Sequence, residues 1–428
     1  MTPLIWSELS AAEQAAALAR PPARRSPDLV AGVAAILEDV RSGGWDALCR
    51  IAERIDRQAP QAVTVAPLAA AARSALPADS VAAMELAARN IRAFHEASRP
   101  TDTMVETMPG LTVEKAWRPI DRVGLYVPGG ATPLFSSLLM QALPARAAGV
   151  KDIVVVTPPA AAVLDPAIAL AAELCGIETV WTVGGAQGIA ALAFGAGDIP
   201  ACPKICGPGN AWVAEAKAQV GAMSGGPAID MPAGPSELMV IADASASPAT
   251  VAADLLSQAE HDASAQVLLV TDSAAFAGRV IDELERQVAD LPRAELARAS
   301  LGHGRVIVTA DLAAAAAIAN VYAPEHLCLA VDDTEPLVRV ISNAGAIFAG
   351  HAAAESFGDY LAGSSHVLPT DGAARAWSGI TVHSFMKAIS IQRVSPAAGR
   401  ALAAPAAALA RLEALEAHAR AAEARAAA

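Results

Sequence analysis

Gln258 and His261 stand three residues apart in the segment SQAEHD. On a helix that spacing brings both side chains to one point and is compatible with a metal ion. Glutamine is an uncommon ligand, and a helical histidine also serves as a partly buried structural residue, so both readings stand at this level. Further along, PEHL sets Glu325 beside His326 just ahead of a β-rich run. Neighbouring side chains at a strand start diverge, which allows a general base and a water-activating carboxylate to share one pocket. A turn with solvated charges would use the same residues. GDYLAGSSHVLPT carries Asp359 and His366 in a glycine-rich loop of the kind that holds functional groups over a rigid scaffold. Asp359 there could complete a metal site of nitrogen and oxygen ligands. Glu413 and His418, five apart, fall on adjoining faces of a helical stretch, where a solvated surface is the plain expectation.

Five cysteines (Cys49, Cys175, Cys202, Cys206 and Cys328) form neither a CxxC pair nor a zinc knuckle, and Cys328 runs into a strand where burial is expected. Their odd number and scatter suit reduced thiols rather than a disulfide framework, and a cysteine nucleophile is not expected. The usual dinucleotide fingerprint GxGxxG and the P-loop GxxxxGK[ST] are both missing. Other glycine-rich turns are present: VPGG at Val127 to Gly130, VGGAQ at Val183 to Gln187, and CGPGN at Cys206 to Asn210. Each is either an ordinary tight turn or a place where backbone approaches a phosphate or ribose.

These residues need a scaffold. Residues 1–121 read as helices, with apolar residues at three- and four-residue steps in SPDLVAGVAAILEDVRSGGWDALCRIAERID and DSVAAMELAARNIRAFHEASRP, capped by Ser26 and by Asp79 or Ser80. This region is expected to pack on the second α/β domain. From Arg122 onward, short β-rich runs (VGLYV, DIVVVTPP, ETVWTVGG) alternate with helical stretches, the pattern of a parallel sheet built from βαβ units. In such sheets ligands bind beyond the carboxyl ends of the strands, where the glycine clusters fall. SELMVIAD, AQVLLVTD, RVIVTAD, CLAVDD and AGAIFAG begin a second set. The fold expected is two tandem Rossmann-like parallel-sheet domains, 122–235 on the nucleotide side and 236–380 carrying the catalytic residues. A helical tail, 381–428, follows; its leucines 409, 412 and 415 must dock on something, because a helix this short does not stand alone.

The chain of 428 residues is 54% hydrophobic and 18% charged, with 4% aromatics, which excludes a disordered protein and suits alanine-rich helices on buried strands. Each long apolar run is interrupted by charge or proline, so no bilayer span is expected. A net charge of −13 argues against a nucleic-acid surface and mildly favours a cationic small substrate. The N-terminus shows no signal-peptide pattern, which makes the cytoplasm the expected compartment.

GLYVPGG, VVVTPP, VGGAQGIAALAFG, GPGN, IDMPAGPSE, LLSQAEHD, PEHL, GDYLAG, HVLPT and LEAHA occur in one order along almost the whole chain. In that set the sequence resembles the histidinol dehydrogenase family. The resemblance implies oxidation of L-histidinol to L-histidine through the aldehyde, with two NAD⁺ used in sequence and one zinc ion per site. It implies Gln258, His261, Asp359 and His418 as zinc ligands, His326 as general base and Glu325 as activator of water. Substrate contacts carry over to Ser236, Glu413, His326 and the zinc ligands, and NAD contacts to Tyr126, Gln187 and Asn210. Family members are homodimers whose tails cross, so Glu413 and His418 would serve the neighbouring subunit.

The sequence departs from the family pattern at AGSSHVLPT before His366, at HAAAES, and at Gly188. None of these touches a matched ligand. They leave room for a paralogue acting on another hydroxy compound, such as a sulfopropanediol dehydrogenase, while Glu413 and LEAHA favour histidinol. From a different class, a zinc hydrolase using Glu325 as base and no nucleotide is the other alternative.

Overall fold

The computed structural model describes residues 1–21, 26–129, 133–160, 163–231 and 234–426. Gly130, the last residue of the VPGG turn, lies outside them. Strands β1 (Pro3–Ile5) and β2 (Ala62–Thr64) fall in the N-terminal region, and β3 (Thr103–Met108) with β4 (Leu111–Pro119) form a hairpin. Then come β5 (Arg122–Tyr126), β6 (Asp152–Thr157), β7 (Thr179–Thr182), β8 (Lys204–Cys206) and β9 (Ala228–Ile229). The second set is β10 (Glu237–Ala242), β11 (Gln266–Thr271), β12 (Arg305–Val308), β13 (His326–Ala330) and β14 (Ala346–Ala349), and β15 (Met386–Val394) leads into the tail.

Two six-stranded sheets result, ordered β2-β7-β6-β5-β8-β9 and β1-β12-β11-β10-β13-β14. Each is a doubly wound sheet whose order reverses beside its first strand, β5 in one and β10 in the other. The strands are buried on both faces because side chains alternate between two cores: Ile153 and Val155 face one, Val154 and Val156 the other. Leu238 and Val240 likewise oppose Met239 and Ile241 in the second sheet. The N-terminal region lends an edge strand to each sheet, β2 antiparallel to β7 and β1 parallel to β12.

The N-terminal region departs from expectation in two ways. Its first residues pack on the second domain through β1, Trp6 and Leu18, and further along Asn90, donating to the Leu361 carbonyl at 2.8 Å, and the apolar residues around it reach that domain. The helix Pro27–Ile55 instead packs on the helices Gly185–Phe194 and Ala211–Ala222, and Ala78–Ala97 packs on Phe135–Ala148, all of them in the first domain. The apolar stripe Leu29, Val33, Ile36, Leu37 and Val40 closes the core that Val154 and Val156 begin. Ser26 caps its helix as expected, accepting the Leu29 N–H, whereas Ala78–Ala97 starts behind Pro77 rather than at Asp79 or Ser80. Nor is the region wholly helical, since β4 pairs with β3 on one side and β15 on the other in a separate three-stranded sheet.

The tail is therefore not wholly helical: after a single 3-10 turn, Val382–Phe385, it runs as the strand β15. After β15 come the helices Pro396–Leu412 and Glu416–Glu423, tied by Arg411 to Glu416 and Glu423. Leu409, Leu412 and Leu415 are exposed. No helix among the described residues is long and apolar enough to cross a membrane.

Candidate active site

The two sheets meet a common cleft with opposite ends. Tyr126 ends β5, Gln187 follows β7 and Asn210 follows β8, so these three lie at carboxyl ends of the first sheet. Glu237 opens β10 and His326 opens β13, so the second sheet presents amino ends. Between them lies a cavity of about 190 Å³, lined among others by Ser236, Gln258, His261, Glu325, His326 and Asp359. Its size suits a small substrate and is below that of a dinucleotide pocket.

His326 is buried at the start of its strand, its ring stacked on Phe348. Its Nδ1 lies 3.1 Å from the Glu237 carbonyl, which can only accept; Nδ1 therefore carries the proton and Nε2 is the free position of the neutral ring. Nε2 lies 3.6 Å from Asp359 Oδ1, and Nδ1 lies 3.6 Å from both Glu325 and Glu355. Burial disfavours the imidazolium, but the charges of Glu325, Glu355 and Asp359 outweigh it and raise the His326 pKa. Burial also pushes the Glu325 carboxyl up, to about 7, and Glu355 up, to about 8. Glu325 is aimed by the Glu237 N–H, which donates to its Oε2 at 2.9 Å.

Gln258 lies in the last turn of the helix Pro248–Ala259, and His261 in the turn just beyond it. The helix expected to carry both stops between them, yet the His261 N–H donates to the Gln258 carbonyl at 3.2 Å and keeps the two together. Gln258 Nε2 donates to His261 Nδ1 at 3.1 Å, so the neutral ring carries its proton on Nε2, and a metal bound there would displace that proton. Asp359 sits in the short helix Glu355–Tyr360 rather than in a loop, its carbonyl accepting from His366 Nδ1 at 3.0 Å. Gln258 Oε1 and Asp359 Oδ1 are buried without a hydrogen-bond partner. Two orphaned oxygens beside an imidazole in one cavity form a nitrogen and oxygen donor set that fits zinc. His326, Glu355 and Asp359 also bring ligand atoms within 4.8 Å of one another.

Glu413 and His418 are exposed on the tail and do not line this cavity. The nucleotide-side residues have local partners: the Gly185 N–H donates to the Tyr126 hydroxyl, and Gln187 Nε2 donates to Asp56 at 3.0 Å. Asn210 Oδ1 caps the helix Ala211–Ala222 by accepting from the N–H groups of Trp212 and Val213. Gly207 stands at φ +131°, and a Cβ there would lie 2.2 Å from the Tyr126 carbonyl oxygen. Its turn is held by a buried pair, Lys217 Nζ and Asp230 at 2.5 Å, bonded to the Gly207 carbonyl and N–H. Burial pushes the Cys206 thiol up to about 12 and raises Cys328, which leaves neither as a nucleophile.

Sequence reading did not single out Asp56, Glu355 or Glu237. Each lies inside a quoted segment, Asp56 at the end of the first helical run, Glu237 in AGPSE and Glu355 in HAAAES, but an isolated acid carries no spacing signal.

An imidazole ringed by carboxylates, in a cleft whose other wall is a doubly wound strand-end crevice, is an arrangement within an α/β fold that can take up and release a proton. The histidinol dehydrogenase family model matches residues 19–426. Histidinol dehydrogenase of Xylella fastidiosa strain Temecula1 is 48% identical over 419 residues, covering 97% of both chains. That of Salmonella typhimurium strain LT2 is 45% identical, covering 96% of this chain and 95% of its own. The crystal structure of histidinol dehydrogenase from Elizabethkingia anophelis superposes with a TM-score of 0.93 at 38% identity, over 97% of this chain and 96% of that one. The chain belongs to the histidinol dehydrogenase family, and it is an oxidoreductase.

Proposed function

We propose that this protein oxidises L-histidinol to L-histidine through L-histidinal, in two successive hydride transfers to NAD⁺ at a site with one zinc ion. The observation that carries the reading is the His326 ring, fixed by Glu237 with Nε2 free beside Asp359. Gln258, His261 and Asp359 would hold the zinc, which when bound supplies a positive template for the nitrogens of an amino alcohol. Tyr126, Gln187 and Asn210 would contact NAD⁺, which supplies the hydride acceptor.

In the first half-reaction His326 Nε2 takes the hydroxyl proton as hydride leaves the adjoining carbon. With Asp359 engaged in ligation, one of the charges that raise the His326 pKa is offset, and the ring returns toward the range in which a base works. In the second half Glu325, titrating near neutrality, takes a proton from the water that attacks the aldehyde carbon, and the hydrated carbon then gives up the second hydride. Ser236 faces the substrate from the strand preceding turn.

Glu413 and His418 would complete the site of a second copy. Support comes from the exposed leucines 409, 412 and 415, an uncovered apolar row beside them. The reading places the enzyme in the cytoplasm, in histidine biosynthesis. Purified protein should form NADH from histidinol and NAD⁺, lose that activity to a chelator and regain it with zinc. Full activity in metal-free protein would overturn the zinc part, and no NADH would overturn the whole.

A further inference from the structure

Both reactive side chains are held by one residue, and that residue is held from the far end of the chain. Glu237 donates its N–H to Glu325 and accepts from His326 with its carbonyl. Its buried carboxylate receives a two-pronged grip from Arg20, Nε to Oε1 at 2.5 Å and Nη2 to Oε2 at 2.9 Å, and the Asp371 N–H at 2.9 Å. The same Arg20 donates to the carbonyl of Tyr322 at 2.8 Å and stacks 4.0 Å over the Tyr322 ring. Tyr322 ends the helix before the turn that delivers Glu325; Ala323, at φ +55°, makes that turn. One guanidinium thus braces the start of β10 and the approach to β13 together.

Arg20 is itself anchored. Gln266 Nε2 donates to the Ala19 carbonyl at 2.9 Å, Tyr322 donates to Gln266 Oε1 at 2.8 Å, and the Gln266 N–H donates to the Ser236 carbonyl at 3.1 Å. Arg20 also stands where the chain leaves the second domain for the helix Pro27–Ile55 of the first. We propose that Arg20 is a positioning residue for the reaction, acting through Glu237 to fix Glu325 and His326 against the substrate. A planar fork is needed, because a lysine offers a point charge and cannot hold two carboxylate oxygens and a carbonyl in one plane.

The proposal rests on the dehydrogenase reading for its kinetic test. Arg20→Ala is expected to lower kcat by about 10- to 100-fold, the scale of a small misplacement of reacting groups, with KM for both substrates within about twofold and zinc content unchanged. A cavity of about 80 Å³ opens beside Arg20, lined by Pro21, Ser236 and Asp371. Guanidinium ion at millimolar levels should therefore restore part of the lost kcat, and ammonium at equal ionic strength should not. Should Arg20→Ala fail to fold, Arg20→Lys is expected to show the same kcat loss.

Ring ¹⁵N spectra of histidine-labelled protein give a readout without turnover. In zinc-loaded protein, at a pH where the ring is neutral, the Nδ1-protonated signal of His326, assigned by its loss in His326→Asn, should give way to mixed tautomers in either Arg20 variant. If wild-type protein does not oxidise histidinol, the functional reading falls while this signal still decides the positioning role. Unchanged kcat and ring signal in a folded variant, or a loss confined to KM, would overturn the proposal.

Discussion

His326 and Glu325 are adjacent in the chain but held differently, and under the proposed reaction that difference would give them different halves of it. His326 presents a free Nε2 beside Asp359, whereas Glu325 is a buried carboxyl titrating near neutrality. His326→Asn should therefore impair alcohol oxidation most, and Glu325→Gln oxidation of added aldehyde, each by about 10²- to 10⁴-fold, the usual worth of a positioned acid or base. Steady-state rates on the two substrates check this; equal losses on both would refute the division. Much of this site is readable from PEHL and Q-x-x-H, because the residues are close in sequence and of types that do this chemistry. Arg20 and Glu355 are not, since their roles exist only after residues 217 and 98 positions distant come together with them, on Glu237 and Ser257.

At the scale of elements, the helix Ala78–Ala97 buries a polar residue in its apolar face. His95 is fully buried against the first domain, with neither ring nitrogen hydrogen-bonded, and burial lowers its pKa to about 4. The unfolded chain binds this proton near pH 6.5 and the folded one does not, so the stabilising difference is complete above pH 6.5 and lost as pH falls toward 4. His95→Phe should flatten the fall of Tm between pH 7 and 5 and raise stability by about 1 kcal/mol at neutral pH, the cost of an unpaired buried group. Thermal unfolding across that range checks it; an unaltered slope would assign the acid sensitivity to other groups. Whereas β2, β8 and β9 have only two or three residues each, strands β5 to β7 and β10 to β14 are legible because apolar, largely β-branched runs, mostly buried on two faces, read as buried strands. β3, β4 and β15 are not, because their sheet is largely exposed and its residues mix polar and apolar without a clean period. β1 has only three residues, too few for any pattern.

At the scale of the whole molecule, one sheet offers carboxyl ends and the other amino ends to a single cleft, and the tail stands apart from it. Sequence order cannot convey that arrangement, since both domains share the same winding and only their mutual orientation differs. The exposed positions of Glu413 and His418 make a second copy the expected source of those groups. Mixing inactive His326→Asn and His418→Ala proteins under subunit exchange should restore activity, because a mixed dimer holds one site with an intact body and an intact tail. A tail that served its own subunit would restore none.

The four-electron oxidation is the central claim, and counting NADH tests it most directly. With limiting L-histidinol and excess NAD⁺, the account predicts two NADH formed per histidinol consumed, with L-histidine as the product. One NADH per histidinol, with aldehyde released, would contradict it.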